Sequence, residues 1–153
     1  MDWLFHGEQG ICHVRVAGVL LRDHKLLAQG VRGGNEYALI GGHLQFGETL
    51  EEALIREFRE ETGVDIRCQR LLWTEENFWT WNGVKAHNLA FYYLIDCDDT
   101  AFPDAPTPSK DNDQVVCEWL PLDRLADCNI YPAFLKQEIF HLPESPKHFV
   151  TRE

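Results

Sequence analysis

No apolar run in this sequence approaches the roughly 18 residues that a membrane-spanning helix needs. There is no internal repeat, no low-complexity tract and no CxxC pair. The five cysteines, Cys12, Cys68, Cys97, Cys117 and Cys128, are odd in number and scattered. They therefore suit neither a disulfide framework nor a zinc site, and they read as reduced thiols of a cytoplasmic protein. The first residues, Met1-Asp2-Trp3-Leu4-Phe5-His6, lack the basic stretch and long apolar segment of a secretory leader, so none is expected. Positive charge is scarce: 14 Lys and Arg stand against 25 Asp and Glu, a net charge of −11. Duplex nucleic acid and anionic membrane are therefore poor partners, because both are held by positive surface. A small phosphorylated ligand is not excluded, because divalent cations held by carboxylates reverse the local sign.

What remains is ordinary globular composition, 44% hydrophobic and 25% charged, in 153 residues. That length suits one domain, residues 1–153, and buries about two thirds of the unfolded surface without covalent staples. Apolar patterning predicts strands over His13–Leu21 and Leu26–Val31, with a polar turn between them. A short apolar run, Tyr37–Ile40, stops at Gly41-Gly42. A helix is predicted over Leu50–Thr62. Thr49-Leu50-Glu51-Glu52 has the form of a capping box, and Gly63 stands where a left-handed residue ends a helix. Val64–Glu76 and Val84–Asp96 read as paired strands, with Asn82-Gly83 suited to a hairpin turn. Residues 98–113, with three Pro and five Asp, read as a loop. Val115–Leu120 reads as a strand, Leu122–Ala126 as a helical turn and Tyr131–Phe140 as a second helix. Hairpins mixed with one crossover predict an α/β sandwich around a mixed sheet.

One segment carries chemistry. Glu57, Glu60 and Glu61 share a face of the Leu50–Thr62 helix, because positions three and four apart align. They also lie in its last turns, where the helix dipole is negative. Like charges there destabilise, so stability alone would favour Lys or Arg at these positions. A cluster of hard oxygen donors suits Mg²⁺ or Mn²⁺, while Arg56 and Arg59 offset part of the charge. The alternative is a solvated acidic helix face, and the surrounding residues decide between the two. Gly42, Glu48, Arg56, Glu57, Phe58, Glu60, Glu61, Gly63 and Val64 stand in the spacing of the Nudix box. Seven of these positions each demand one residue type, so a chance match at a given start is on the order of 10⁻⁸. The segment resembles the Nudix hydrolase (MutT-like) family, with Phe58 in place of the usual branched aliphatic as the one departure. The Gly41-Gly42 turn and Glu118-Trp119-Leu120-Pro121-Leu122 are similar to that family too.

The resemblance implies an α/β/α sandwich around a mixed, curved sheet. It also implies a Mg²⁺-dependent pyrophosphohydrolase, in which water attacks phosphorus in the diphosphate of a nucleotide or nucleoside-diphosphate derivative. Glu57, Glu60 and Glu61 would be metal ligands, with Glu48 in support and the Gly42 carbonyl completing the set. Glu57, Glu60 and Arg56 would form the catalytic core, with Arg56 orienting the glutamates. The general base is either a box glutamate or a carboxylate on a distant loop, with Asp111, Asp113 and Glu118 as candidates. A homodimer is common in the family. Arg15 and Arg32 are phosphate contacts or ordinary surface cations. His43 is a substrate contact or a turn residue. In the stretch Glu75–Trp81, Phe78 and Trp79, with Trp81 beside them, stack on a base, pack the hairpin or form a dimer contact. Tyr92 and Tyr93 alternate in a strand, one to the core and one to a cleft. The alternative activity is a nucleotide-sensing Nudix-fold module without turnover. The intact glutamates and the absence of a DNA-binding segment weigh against it. A capped RNA is a third option, disfavoured by the lack of a basic stripe.

Overall fold

A computed structural model describes residues 1–153. The strands fall into two mixed sheets, where the sequence pattern predicts a single one. The first sheet contains β1 (Leu4–Gly7), β2 (Gly10–Val19), β8 (Val84–Asp96), β7 (Arg67–Trp81) and β12 (Lys147–Arg152), in that order, with β6 (Gly41–His43) also paired to β2. The second contains β11 (Asn129–Tyr131), β5 (Glu36–Ala38), β4 (Lys25–Val31), β10 (Val115–Pro121) and β9 (Thr107–Pro108), with β3 (Leu21–Arg22) paired to β4. Three pairs are parallel: β2 with β8, β7 with β12, and β5 with β11.

Both faces of the central strands are covered, which explains their near-continuous apolar runs. On β2, Ala17 and Val19 join one core cluster, while Val16 joins the other. The first cluster is closed by Leu122 and Leu125 of a 3₁₀ helix (Leu122–Asp127) and by Leu135 and Ile139 around α2 (Leu135–Glu138). The second is closed by Ala53, Leu54 and Phe58 of α1 (Leu50–Thr62). Helices thus cover the sheets from opposite sides, as the layered expectation requires. No helix is long and apolar enough to cross a membrane.

Helix α1 begins and ends where its sequence directs. The Thr49 side chain accepts from the Glu52 N–H, and the Glu52 carboxylate accepts from the Thr49 N–H. Gly63, at φ 75°, closes the other end with its N–H donating to the Arg59 carbonyl. Together such caps contribute about 1–2 kcal/mol. They also fix the angular position of every side chain between them.

Two expected elements are corrected. The helix expected over Tyr131–Phe140 is confined to Leu135–Glu138, with Tyr131 in β11. Pro132 accounts for the difference, because a residue before proline is pushed out of the α region into extended backbone. Strand β7 does not end at Glu76 but runs on to Trp81, so the Glu75–Trp81 aromatics belong to a strand and divide between its faces. The Asn82-Gly83 turn adopts positive φ at both residues, as expected.

Candidate active site

Arg56 organises the acids at the end of α1. Its Nε and Nη2 donate to the two oxygens of Glu48 at 3.0 and 2.7 Å. Nη1 reaches Glu57 at 2.9 Å and Glu60 at 3.3 Å, and Nη2 also donates to the His43 carbonyl at 3.1 Å. One planar guanidinium therefore ties α1 to the loop before it and to β6, a geometry that lysine cannot reproduce. The Glu48 carboxyl is held below its usual range, chiefly by the hydrogen bonds from Arg56. It also accepts from the Gln45 N–H at 2.8 Å. Glu48 is thus committed to Arg56.

Glu57 is half-buried against β6. A Cβ built on Gly42 would fall on the Glu57 carboxyl group, with its Oε2 at 2.6 Å. Glycine at 42 is thus required by side-chain approach. Burial raises the Glu57 carboxyl, while Arg56 partly offsets the shift. Glu61 turns inward, and its Oε2 is buried without a hydrogen-bond partner. Its carboxyl is pushed up to about 8, first by burial and then by the negative charges of Glu57 and Asp111. Glu60 projects outward, its side chain 55% exposed.

Of the three carboxylates expected on a distant loop, only Asp111 reaches this group, and Glu118 lies within strand β10. The Lys110 N–H donates to the Glu61 carbonyl at 2.8 Å, and the Ser109 hydroxyl oxygen lies 3.3 Å from the same carbonyl oxygen. The Ser109 hydroxyl lies 2.6 Å from an Asp111 carboxylate oxygen. Asp111 is thereby anchored beside Glu61. Asp113 is exposed, and its backbone carbonyl accepts from Arg32. Glu118 accepts from the Tyr37 hydroxyl at 3.1 Å and lies with Arg32 in a separate small hollow. No three His, Cys, Asp or Glu side chains converge as a single ligating group in this conformation. Glu48, Glu57 and Glu60 are instead turned toward Arg56.

A cleft of about 540 Å³ opens between the two sheets; the acids of α1 do not line it, and Arg15 connects the two. Arg15 lines the cleft and is near enough to Glu57 and Glu61 to offset part of the upward shift of both carboxyls. Its Nη2 donates to the Leu39 carbonyl at 2.9 Å. Trp79 and Trp81 face the cleft from β7, and Tyr131 does so from β11. The buried Tyr92 hydroxyl donates to buried Glu75 at 2.8 Å, and Tyr92 both lines this cleft and belongs to the first core cluster. Tyr93 packs against the cluster on the α1 side.

Two expected substrate contacts, Phe78 and Arg32, are separated from this cleft, and a third, His43, lies behind its lining. Phe78 points to the opposite face of β7, where it stacks on His87 at 4.1 Å and lies under the Arg152 guanidinium. Alternation along the strand sets it apart from Trp79. Arg32 lies in the hollow with Glu118. His43 pairs with Arg15 across β6 and β2, and its ring lies edge-on to His13 at 4.9 Å. Burial and the Arg15 charge lower the His43 pKa, so the ring favours the neutral form. Sequence reasoning overlooked Asn77 and Asn88, which line the cleft, and buried Glu75. The available signal was polar residues recurring at alternate positions inside otherwise apolar strands.

The NUDIX domain model matches residues 12–139. An NAD-capped RNA hydrolase, NudC, from Photorhabdus laumondii is 32% identical over 112 residues, covering 72% of this chain and 39% of that protein. An ADP-ribose pyrophosphatase from Methanocaldococcus jannaschii is 39% identical over 64 residues, covering 39% of this chain and 37% of that protein. The chain thus spans about two fifths of the length of these two relatives. The phosphatase NudJ of Escherichia coli is 30% identical over 119 residues, covering 74% of this chain and 71% of that protein. Among solved structures, a MutT protein from Bacillus halodurans matches at TM-score 0.67 with 14% identity, covering 90% of each chain. A MutT NUDIX hydrolase from Burkholderia pseudomallei matches at TM-score 0.56 with 26% identity, covering 73% of this chain and 84% of that one.

Proposed function

The chain belongs to the NUDIX domain family, and from that premise we propose that it is a pyrophosphohydrolase. It cleaves the diphosphate of a nucleotide or nucleoside-diphosphate derivative with the help of Mg²⁺ or Mn²⁺. The observation that carries this reading is the buried, unpartnered Glu61 oxygen set near Glu57 and Asp111, which Arg15 connects to an open cleft.

The residues fit a hard dication. A buried acceptor without a donor costs about 1–3 kcal/mol, and a cation bound there removes that cost. The Glu61 carboxyl is raised first by burial and then by the nearby charges of Glu57 and Asp111, which Arg15 offsets only in part. Gly42, having no Cβ, lets the Glu57 carboxyl lie directly against the backbone of β6. Glu57, Glu60 and Glu61 would hold the ion, with the Gly42 carbonyl in support. When bound, it withdraws charge from the phosphoryl oxygens and acidifies water.

The chain's own residues do the rest. Arg56 holds Glu48, Glu57 and Glu60 in place, so that little reorganisation is left for the reacting state. Arg15 sits between the acids and the cleft, where it receives the phosphates of a substrate whose organic part lies between the sheets. Asp111, anchored by Ser109, is the loop carboxylate placed to accept a proton from water. Glu57 and Glu60 remain candidates for that role within the box.

Two measurements test this reading. Release of phosphate or nucleoside monophosphate is followed over a panel of nucleoside triphosphates, sugar nucleotides and dinucleoside polyphosphates. Turnover of at least one compound is expected with Mg²⁺, and none with EDTA. Turnover that persists in EDTA, or none on any compound, rejects the reading. Thermal melting without substrate is the second. At Mg²⁺ about 100-fold above its Kd the gain is about 2.7 kcal/mol, a Tm rise of roughly 5–10 °C for a chain of this size. An unchanged Tm at millimolar Mg²⁺ and Mn²⁺ counts against a metal site.

A further inference from the structure

Strand register assembles a polar row across the floor of the cleft. His13 on β2 lies opposite Asn88 on β8, Asn88 lies opposite Asn77 on β7, and Asn77 lies opposite Thr151 on β12. These four side chains share the inward face with the cleft. The adjacent row is Arg15, Ala90 and Glu75, so the polar row lies two residues, roughly 6.6 Å, further from the acids. Polar residues in such a row are unexpected in a packed sheet, because each must find a partner.

Several do not. His13 Nδ1, Asn77 Oδ1 and Gln29 Oε1 are buried without hydrogen bonds, and all three residues line this cleft. Asn88 is 5% exposed and is engaged on one side only, where Trp79 Nε1 donates to its Oδ1 at 3.3 Å. An indole N–H can only donate, so it fixes the orientation of the Asn88 amide. Asn88 Nδ2 is thus left free to donate, and Asn77, opposite Asn88 in the strand register, keeps an unpartnered Oδ1. Glu75 is not available in the same way, since Tyr92 and Thr151 already donate to its two oxygens, at 2.8 and 2.7 Å.

We propose that Asn77 and Asn88, oriented by Trp79, are the specificity-determining residues of the cleft, and that they hydrogen-bond a heterocyclic base bearing a donor beside an acceptor. This rests on the nucleotide-type reading of the neighbouring acids. A side-chain amide offers the pattern complementary to an exocyclic group next to a ring nitrogen. Trp79 and Trp81 on one wall and Tyr131 on the other supply flat apolar surface for the faces of the ring. A ligand with the same phosphate but no base edge would leave these buried groups unpaired, which is what makes such sites discriminating.

The test is calorimetric binding to the full chain, without metal, of AMP, GMP, CMP and UMP. The tightest of the four is then compared with its analogue lacking the exocyclic group and with ribose 5-phosphate. At least tenfold weaker binding of both is expected. Asn88→Leu and Asn77→Leu should each abolish the difference, and Trp79→Phe should reduce it several-fold while keeping the aromatic surface. Equal binding of nucleotide and analogue by the parent overturns the proposal, as does unchanged discrimination in the variants. Should the leucine variants fail to fold by circular dichroism, Trp79→Phe decides alone. Hydrolysis with Mg²⁺ is assayed in parallel. Turnover without base discrimination sinks this inference and leaves the proposed function standing, whereas discrimination without turnover does the reverse.

Discussion

Glu61→Gln is expected to lower metal-dependent turnover by at least about 10²-fold, since loss of even an outer partner of a metal site costs 10–100-fold. The same change should stabilise the metal-free protein. The Glu61 carboxyl is raised to about 8 by burial and by Glu57 and Asp111. In the unfolded chain it titrates near 4.5. Between those values the native state retains a proton that the unfolded state has released, so stability falls as pH rises from about 4.5 to about 8. Glutamine has no proton to release, and its advantage grows over that window. After allowance for solvent screening the gain at pH 8 is roughly 1–3 kcal/mol. Chemical denaturation of both proteins at pH 5 and pH 8 in EDTA reads the difference. Equal stability at both values would show that the charges do not crowd Glu61, and undiminished turnover would remove it from the metal site.

Gly42→Ala should be nearly as damaging by a steric route. The added methyl would occupy the position of the Glu57 carboxyl, which must swing away or push β6 outward. Turnover is expected to fall about 10²-fold and stability by about 1–3 kcal/mol, the usual range for forced overpacking. A double-mutant cycle isolates the cause. In a Glu57→Ala background the clash no longer exists, so Gly42→Ala should then cost little in stability. A full cost in both backgrounds would place the strain in the backbone and not at the Glu57 carboxyl.

Features encoded over short stretches were legible in the sequence. Thr49, Glu52 and Gly63 specify both ends of α1 through contacts within four residues, and the helix runs over Leu50–Thr62 as expected. The Asn82-Gly83 turn is local in the same way. Features that depend on distant partners were not legible. That Asp111, rather than Asp113 or Glu118, lies near Glu61 depends on Lys110 and Ser109 docking at the Glu61 carbonyl, 48 or more positions away. The polar row of the cleft is invisible along the chain, because His13, Asn88, Asn77 and Thr151 meet only through the register of four strands. Phe78 and Trp79 looked equivalent as neighbouring aromatics, and only the face each occupies on β7 separates them. The apolar run from Tyr131 misled for an equally plain reason, since Pro132 resists continuation of the helix backwards through it.

The double closure of α1 has a consequence for how this chain tolerates change in length. With one terminus locked by Thr49 and the other by Gly63, the intervening segment has no slack to absorb an indel. Adding or deleting a single codon there would rotate everything downstream by about 100°, swinging Glu60 and Glu61 off their face and presenting Phe58 to water. Substitution can retune this segment, but its residue count is set.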